Sequence, residues 1–301
     1  MRVFPGTGRD YAYIKAQTQG NKRQVRAFIG SAVRRIQVTK MYFVGIDVGS
    51  LSTETVIVHH TGTMVSYHIS STGANSRTAG ESSFEAALAS GGIAHSEIEF
   101  TVATGYGRVS IPFAHKTITE ITCHARGAVH LFPATQTIID VGGQDSKVIR
   151  VSQDGKVADF SMNDKCAAGT GRFLEVMARA LEIDLDWMGP LSLRSTRDVS
   201  ISSMCTVFAE SEVISLVARA TPKEDILNAI HRSICNRLAP LMDAVGIRME
   251  VTMTGGVAKN SGIVEKIREK TDGSINVPEE PQIVGALGAA LIARDMSTHA
   301  Q

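Results

Sequence analysis

From residue 41 onward the chain alternates short β-branched apolar runs with longer stretches whose apolar residues recur at helical spacing. The runs "YFVGID" from Tyr42, "TIID" from Thr137 and "VTMT" from Val251 are brief and end at glycine turns, which predicts buried strands. Between such runs, "SSFEAALAS" and "EDILNAIHRSICNRLAPLMDAV" carry the periodicity of helices packed on one face. The strands come in two echoing sets. "FVGIDVGSLSTETVIVHHTG" from Phe43 and "TIIDVGGQDSKVIRVSQDG" from Thr137 share one plan of apolar strand, Asp-Val-Gly, polar turn, second strand and glycine turn. Later, "FTVATGYGR" (Phe100 to Arg108) and "VTMTGGVAK" (Val251 to Lys259) are both β-branched runs ending in a Thr-Gly turn, in the same order. This repetition predicts two α/β domains of common origin facing each other across a cleft. Their expected bounds are 41–133 and 134–301, with 1–40 as a basic N-terminal extension outside the fold.

The glycines indicate what the cleft holds. Where a strand ends in Asp-x-Gly, the missing side chain lets backbone N–H groups approach an anion, and Ser50, Ser52, Thr53 and Ser146 add hydroxyl donors. Gly49, Gly142 and Gly143 therefore read as parts of two phosphate cradles. The carboxylates at the strand tips, Asp47 and Asp140, suit holding Mg²⁺ through its waters or orienting the attacking water. The P-loop pattern is absent and "GYGRVS" lacks the third glycine of the dinucleotide fingerprint, so neither of those chemistries is expected.

Composition narrows the field further. The 301 residues are 43% hydrophobic and 20% charged, enough for one large core or two smaller ones. A formal net charge of +1 with few aromatics gives no support for a nucleic-acid surface. No uninterrupted apolar run of about 18 residues occurs and the N-terminus has no apolar h-region, so no membrane partner and a cytoplasmic location are expected. The cysteines Cys123, Cys166, Cys205 and Cys235 are widely spaced with no CxxC pair, which excludes a zinc finger or a disulfide framework.

These motifs resemble the actin, chaperone and sugar-kinase ATPase superfamily, with "GIDVGSLSTE" and "IIDVGGQDSK" as its phosphate loops, "MTGGVAKN" as its adenosine loop and "PQIVGALGAA" as its closing helix. The resemblance implies an actin-like, ribonuclease H-like fold around a nucleotide cleft, with the last helix packing back toward the first domain. Within the superfamily, "ATGYGR", "NDKCAAGTGRFLE" and "SSMCTVFAESEVI" resemble the BadF/BadG/BcrA/BcrD ATPases, the activators of 2-hydroxyacyl-CoA dehydratases and the ATPase subunits of benzoyl-CoA reductase. That resemblance implies a homodimer, or a pairing with a similar ATPase subunit, that holds one [4Fe–4S] cluster and passes an electron to the dehydratase or reductase catalytic component with ATP hydrolysis. A ferredoxin or flavodoxin is the implied donor. "TEITCHARGAVHLFP" leans toward the reductase side.

The cysteines agree with the resemblance. Cys166 precedes "GTGRFLEVMARAL" and Cys205 precedes "VFAESEVISLVARA", so each lies near a predicted helix start, where the positive dipole end favours the iron-ligating thiolate. A four-iron cluster takes four cysteines, and a two-fold dimer doubles these two. Cys123 and Cys235 read as buried apolar residues. In the implied cycle MgATP lies between the two Asp-x-Gly loops with adenosine against Gly255 and Gly256. Asp47 is assigned to the Mg²⁺ side, and Asp140 or Gln144 to the water. His124 reads as an ordinary surface or core histidine, Glu210 and Glu212 as first-turn helix acids, and Trp187 as a packing or interface residue. The competing expectations are an amino-sugar type kinase of the same fold without a cluster, and a non-enzymatic nucleotide switch.

Overall fold

The computed structural model describes residues 41–298 apart from positions 153, 203, 204 and 272; the basic 1–40 segment lies outside the described residues. Strand β1 (Tyr42–Val48) is apolar throughout except for Gly45 and Asp47, and it is buried along its whole length at the centre of the first sheet. β2 (Ser52–His59) and β3 (Met64–Ser71) follow antiparallel on one side of it, and β4 (Ile98–Thr104) and β5 (Lys116–Thr117) join parallel on the other. The second sheet repeats this arrangement. β6 (Thr137–Val141), β7 (Ser146–Val151) and β8 (Val157–Asn163) are successively antiparallel, and β9 (Val251–Thr254) and β10 (Ile275–Asn276) continue parallel from β6. The orders β3-β2-β1-β4-β5 and β8-β7-β6-β9-β10 are the same, so the echo in the sequence is an echo in topology.

Helix α1 (Ser76–Gly91) starts where the Asn75 side chain accepts the Arg77 and Thr78 N–H groups, and it ends at Gly92 in the left-handed region. Its Phe84, Ala87 and Leu88 cover one face of the first sheet against Ile46 and Ile57. The opposite face is covered by the last helix, α8 (Val284–Thr298), through Ala286, Ala289, Ala290 and Leu291. Small residues let that helix lie almost on the strand. A Cβ on Gly45 would fall 2.0 Å from the Ala286 carbonyl oxygen and 2.3 Å from the Ala290 nitrogen, so only glycine fits there.

Helix α2 (Glu120–Leu131) connects the two sheets in sequence and in space. Its Ala125 and Ala128 pack on Ile138 and Ile149 of the second sheet, while Gly127 meets α8. A Cβ on Gly288 would lie 1.8 Å from the Cys123 carbonyl oxygen, so the crossing of α2 and α8 is a backbone-to-backbone contact that ties the halves together. Helices α3 (Gly171–Leu181), α4 (Leu185–Ser192), α5 (Thr206–Ala218), α6 (Lys223–Val245) and α7 (Ser261–Thr271) belong to the second half. Phe173 and Met177 of α3, Ile226, Ile230 and Ile234 of α6 and Ile263 and Ile267 of α7 form its core with Ile139, Val141 and Val148. Among the described residues no helix is long and apolar enough to cross a membrane.

Candidate functional site

A cavity of about 520 Å³ opens between the carboxyl ends of the central strands. Asp47 near the end of β1 and Asp140 near the end of β6 line it from opposite sides. Each is followed by the same turn, closed by Gly49 N–H to the Ser52 carbonyl at 2.9 Å in one half and Gly142 N–H to the Asp145 carbonyl at 3.0 Å in the other. Each faces a second glycine after the parallel neighbour strand. Gly105 has φ +80° and Gly255 φ +84°, and a Cβ on them would come within 2.4 Å of Asp47 Oδ1 and 2.8 Å of Asp140 Oδ1. Backbone conformation and space both demand glycine at these two positions. The turns also meet across the cleft, where a Cβ on Gly143 would strike Leu51 Cγ at 2.6 Å.

The two aspartates differ in charge environment. Asp140 Oδ1 accepts from the Thr254 hydroxyl at 2.9 Å, and Oδ2 accepts from Lys147 Nζ at 3.3 Å. Burial pushes its acid up, but His124, Lys147 and Thr254 outweigh burial and hold Asp140 below the ordinary carboxyl value. Lys147 lies 2.9 Å from Asp145 and 3.9 Å from Glu120 as well, and these carboxylates raise its pKa against the effect of burial. Burial first, then Glu54 and Glu120, push Asp47 well above the usual range, and Lys147 lowers it without outweighing them. A buried carboxyl so placed favours a proton or a cation.

His124 stands between the two. Its Nδ1 is 3.1 Å from the Thr254 hydroxyl and 3.5 Å from Asp140 Oδ1, and its Nε2 is 4.0 Å from Asp47 Oδ2. Of the two sequence readings of His124, surface or core, the core one describes it, and its place in that core is the wall of the cleft. Glu120 lies one helical turn earlier on the same face of α2, a spacing that links the two residues in sequence. Gln282, just before α8, donates from Nε2 to Ser52 Oγ at 2.8 Å and to Glu54 Oε1 at 2.9 Å, fastening the end of the second half to β2. Burial raises Glu54 to about 7, tempered by the Ser52 and Gln282 hydrogen bonds.

Gly49, Ser50, Ser52, Gly142, Gly143, Gly255 and Gly256 line the cavity with the two aspartates. Three other expected residues do not. Strand alternation sends Ser52 and Glu54 into the cleft and Thr53 away from it, where its hydroxyl is 2.8 Å from that of Thr72. Likewise Asp145 and Lys147 line the cavity and Ser146 is buried on the other face, while Gln144 is exposed at the tip of the turn. Of the two residues expected to hold the water, only Asp140 is in the cavity wall.

The cavity wall at Asn260 rests on a buried hydrogen-bond chain. Asn260 Oδ1 accepts from Gly262 and Ile263 N–H at the start of α7, so its Nδ2 donates to His231 Nε2 at 3.2 Å. His231 then carries its proton on Nδ1 and donates to Ser192 Oγ at 2.9 Å, and Ser192 donates to the Gly189 carbonyl at 2.8 Å. Burial, with a small contribution from Lys266, lowers His231 to about 3.

Cys166 and Cys205 are exposed, whereas Cys123 and Cys235 are buried, with burial pushing both buried thiols up to about 12. Cys205 is the N-cap of α5, and its carbonyl accepts from Ala209 N–H at 2.9 Å. The loop of Cys166 is held by Asn163 Nδ2 donating to the Cys166 carbonyl at 3.1 Å. That loop feeds α3, whose first two N–H groups, from Gly171 and Arg172, donate at 2.9 Å to the carbonyls of Gly142 and Gly143. The Asp-x-Gly turn of the second half thus grips the helix that follows Cys166. Glu210 and Glu212 are not first-turn acids; α5 has none, and Glu212 accepts from Ser202 N–H and Oγ at 2.8 and 2.7 Å. Trp187 is 58% exposed on α4, so no packing among the described residues buries it.

Residues 44–293 match the model of the BadF/BadG/BcrA/BcrD ATPase family. The chain is 45% identical over 262 residues to the 2-hydroxyisocaproyl-CoA dehydratase activator of Clostridioides difficile, covering 87% of this chain and 98% of that one. It is 36% identical over 218 residues to a benzoyl-CoA reductase subunit of Thauera aromatica, with 70% and 77% covered. Among solved structures, the activator of the 2-hydroxyisocaproyl-CoA dehydratase from Clostridium difficile with bound ADPNP aligns at a TM-score of 0.83 and 45% identity, over 87% of this chain and 97% of that chain. With the duplicated topology, the paired Asp-x-Gly turns and these matches together, the chain is a member of the BadF/BadG/BcrA/BcrD ATPase family.

Proposed function

We propose that this protein is the ATP-hydrolysing activator of a 2-hydroxyacyl-CoA dehydratase and delivers a low-potential electron to that enzyme. The observation that carries the reading is the conjunction, in one chain, of a duplicated carboxylate cleft with two exposed cysteines, one of them wired to the cleft by backbone hydrogen bonds. The 45% identity to a dehydratase activator against 36% to a reductase component supports a dehydratase as acceptor, against the lean read from "TEITCHARGAVHLFP".

Mg²⁺ fits the cleft. Asp47 is buried among acids that raise it, and a divalent cation supplies the positive charge that neighbourhood lacks. Among the described residues no three His, Cys, Asp or Glu converge as a metal site, which suits an ion held by one carboxylate, waters and phosphates. Asp47 would hold Mg²⁺ through water. The N–H groups of the two turns would bind the phosphates, and Asp140, kept ionised by His124, Lys147 and Thr254, would accept a hydrogen bond from the attacking water. Gln282 would hold the halves together over the nucleotide.

An iron–sulfur cluster also fits. Cysteine thiolates are its ligands, two of the four cysteines are exposed, and Cys205 sits at the N-cap of a helix. Two ligands per chain call for a second copy, or a similar subunit, across a two-fold axis. When bound, the cluster stores one electron at low potential, supplied by a ferredoxin or flavodoxin. The chain's own contribution is the link from nucleotide to ligand. A shift of Gly142 and Gly143 as the phosphate chain shortens pulls Gly171 and Arg172 with it, five and six residues from Cys166. The test is anaerobic reconstitution with a 2-hydroxyacyl-CoA dehydratase, a one-electron donor and MgATP. Dehydration that requires hydrolysable ATP is expected; ATP hydrolysis without activation of the dehydratase would overturn the reading.

A further inference from the structure

Cys166 is reached from the cleft through backbone hydrogen bonds; Cys205 is reached through side chains of α6. The chain that leaves α4 and delivers Cys205 runs as an irregular loop over residues 193–202. Such a loop needs partners for its backbone groups, and α6 supplies them. Asp225, 1% exposed in the first turn of α6, accepts on Oδ1 alone from the Ser195 hydroxyl at 2.9 Å, the Thr196 N–H at 2.9 Å and the Arg197 N–H at 3.0 Å. Asn228 Nδ2 donates to the same Ser195 hydroxyl at 3.2 Å. One turn on, Arg232 donates to the Asp198 carboxylate and to the Val199 carbonyl. Positions 225, 228 and 232 share one stripe of the helix, so a single rigid face holds the loop from Ser195 to Val199. The far end of the loop is fixed to α5, where Glu212 accepts from Ser202 N–H and Oγ, and Cys205 follows three residues later. The near end is fixed to the cavity wall. α4 starts with Leu185 and Asp186 in that wall and ends at Ser192, which His231 of the same α6 joins to Asn260, again in the wall.

We propose that Asp225, Asn228 and Arg232 are positioning residues that lock the Cys205 loop to α6, so that the occupant of the cavity, acting through Asn260 and His231, sets where Cys205 stands. This rests on the reading of the cavity as the ATP site and of Cys205 as a cluster ligand, and it adds a second line to the one that ends at Cys166. Close-packed helices do not deform continuously; they shift as units between discrete arrangements. A displacement of the wall at Asn260 or Leu185 therefore moves α6 and α4 together, and the loop held between them follows. Hydrogen bonds onto a carboxylate are stronger than neutral ones, which makes Asp225 the main fastening.

The experiment is amide hydrogen exchange, read by mass spectrometry over residues 193–202, on anaerobically purified full-length protein with ADP and with a non-hydrolysable ATP analogue. In the wild type the Thr196 and Arg197 amides are expected to be protected, and to a different extent with the two nucleotides. Asp225→Ala is expected to speed their exchange about tenfold or more and to remove the difference between nucleotides, while ATP hydrolysis persists. Asp225→Asn, which keeps an acceptor oxygen, is expected to restore most of both. A wild-type loop that exchanges equally with the two nucleotides, or a difference that survives in Asp225→Ala, overturns the proposal. If Asp225→Ala does not fold, Arg232→Met, which releases Asp198 and Val199 alone, takes its place, and a difference preserved there overturns it too. Iron content on the same samples separates the readings. A nucleotide-dependent loop in iron-free protein supports the positioning stripe and sinks the cluster; a loop indifferent to nucleotide in iron-loaded protein does the reverse.

Discussion

His231 allows a worked test of the cavity wall at Asn260. The histidine is fully buried, hydrogen-bonded through both ring nitrogens and lowered to about 3 from an ordinary 6.5. Protonation therefore favours the unfolded chain throughout the interval between those two values. The stability contributed by neutral His231 is complete above about pH 6.5 and is lost as the pH falls toward 3. At pH 5, about 1.5 units below the ordinary value, the loss is about 2 kcal/mol at 1.36 kcal/mol per unit. The assay is urea unfolding at pH 7.5 and pH 5 of the wild type and His231→Gln, which keeps a hydrogen-bonding amide and removes the titration. The wild type should lose about 2 kcal/mol more than the variant over that interval. Equal losses within about 0.5 kcal/mol would refute the assignment of His231 as a neutral buried link.

Lys147→Met leaves Asp140 and Asp145 buried without their cation, so unfolding measurements should show a loss of about 3–5 kcal/mol. A loss below about 1 kcal/mol would contradict Lys147 as the cation that pairs these buried carboxylates. Gly288→Ala places a methyl group against the Cys123 carbonyl and forces α2 and α8 apart; a cost of about 1–3 kcal/mol is expected, read as a thermal midpoint several degrees lower. Arg172→Pro deletes the N–H that donates to Gly143 in the first turn of α3, where proline is tolerated. ATP hydrolysis should persist while the difference in iron chelation rate between ADP and an ATP analogue disappears; a preserved difference would remove this bond from the coupling path.

The duplicated half-folds are legible in the sequence because their signals are local. Asp-Val-Gly and Thr-Gly turns state which strands end at the cleft and which glycines are irreplaceable, and the paired motifs fix the order of the strands. The exposed cysteines are legible for the same reason, each carried by its own motif. His124 and Lys147 are not. Their importance arises where α2 passes beneath both sheets, and the contact from His124 to Thr254 spans 130 residues, beyond the reach of any spacing rule. Thr53, Ser146 and Gln144 are a different matter. The period-two alternation of a strand, applied from Ser52 and from Lys147, sends Thr53 and Ser146 away from the cleft.

The central claim is that two exposed thiols from each of two chains hold one redox centre served by the ATP cleft. Its most direct measurement is iron and acid-labile sulfide per chain in anaerobically purified protein, alongside Cys166→Ser and Cys205→Ser. About four iron and four sulfide per two chains, falling toward zero in both variants, is the expected result. Folded, iron-free wild-type protein that still activates a dehydratase with ATP would contradict the account.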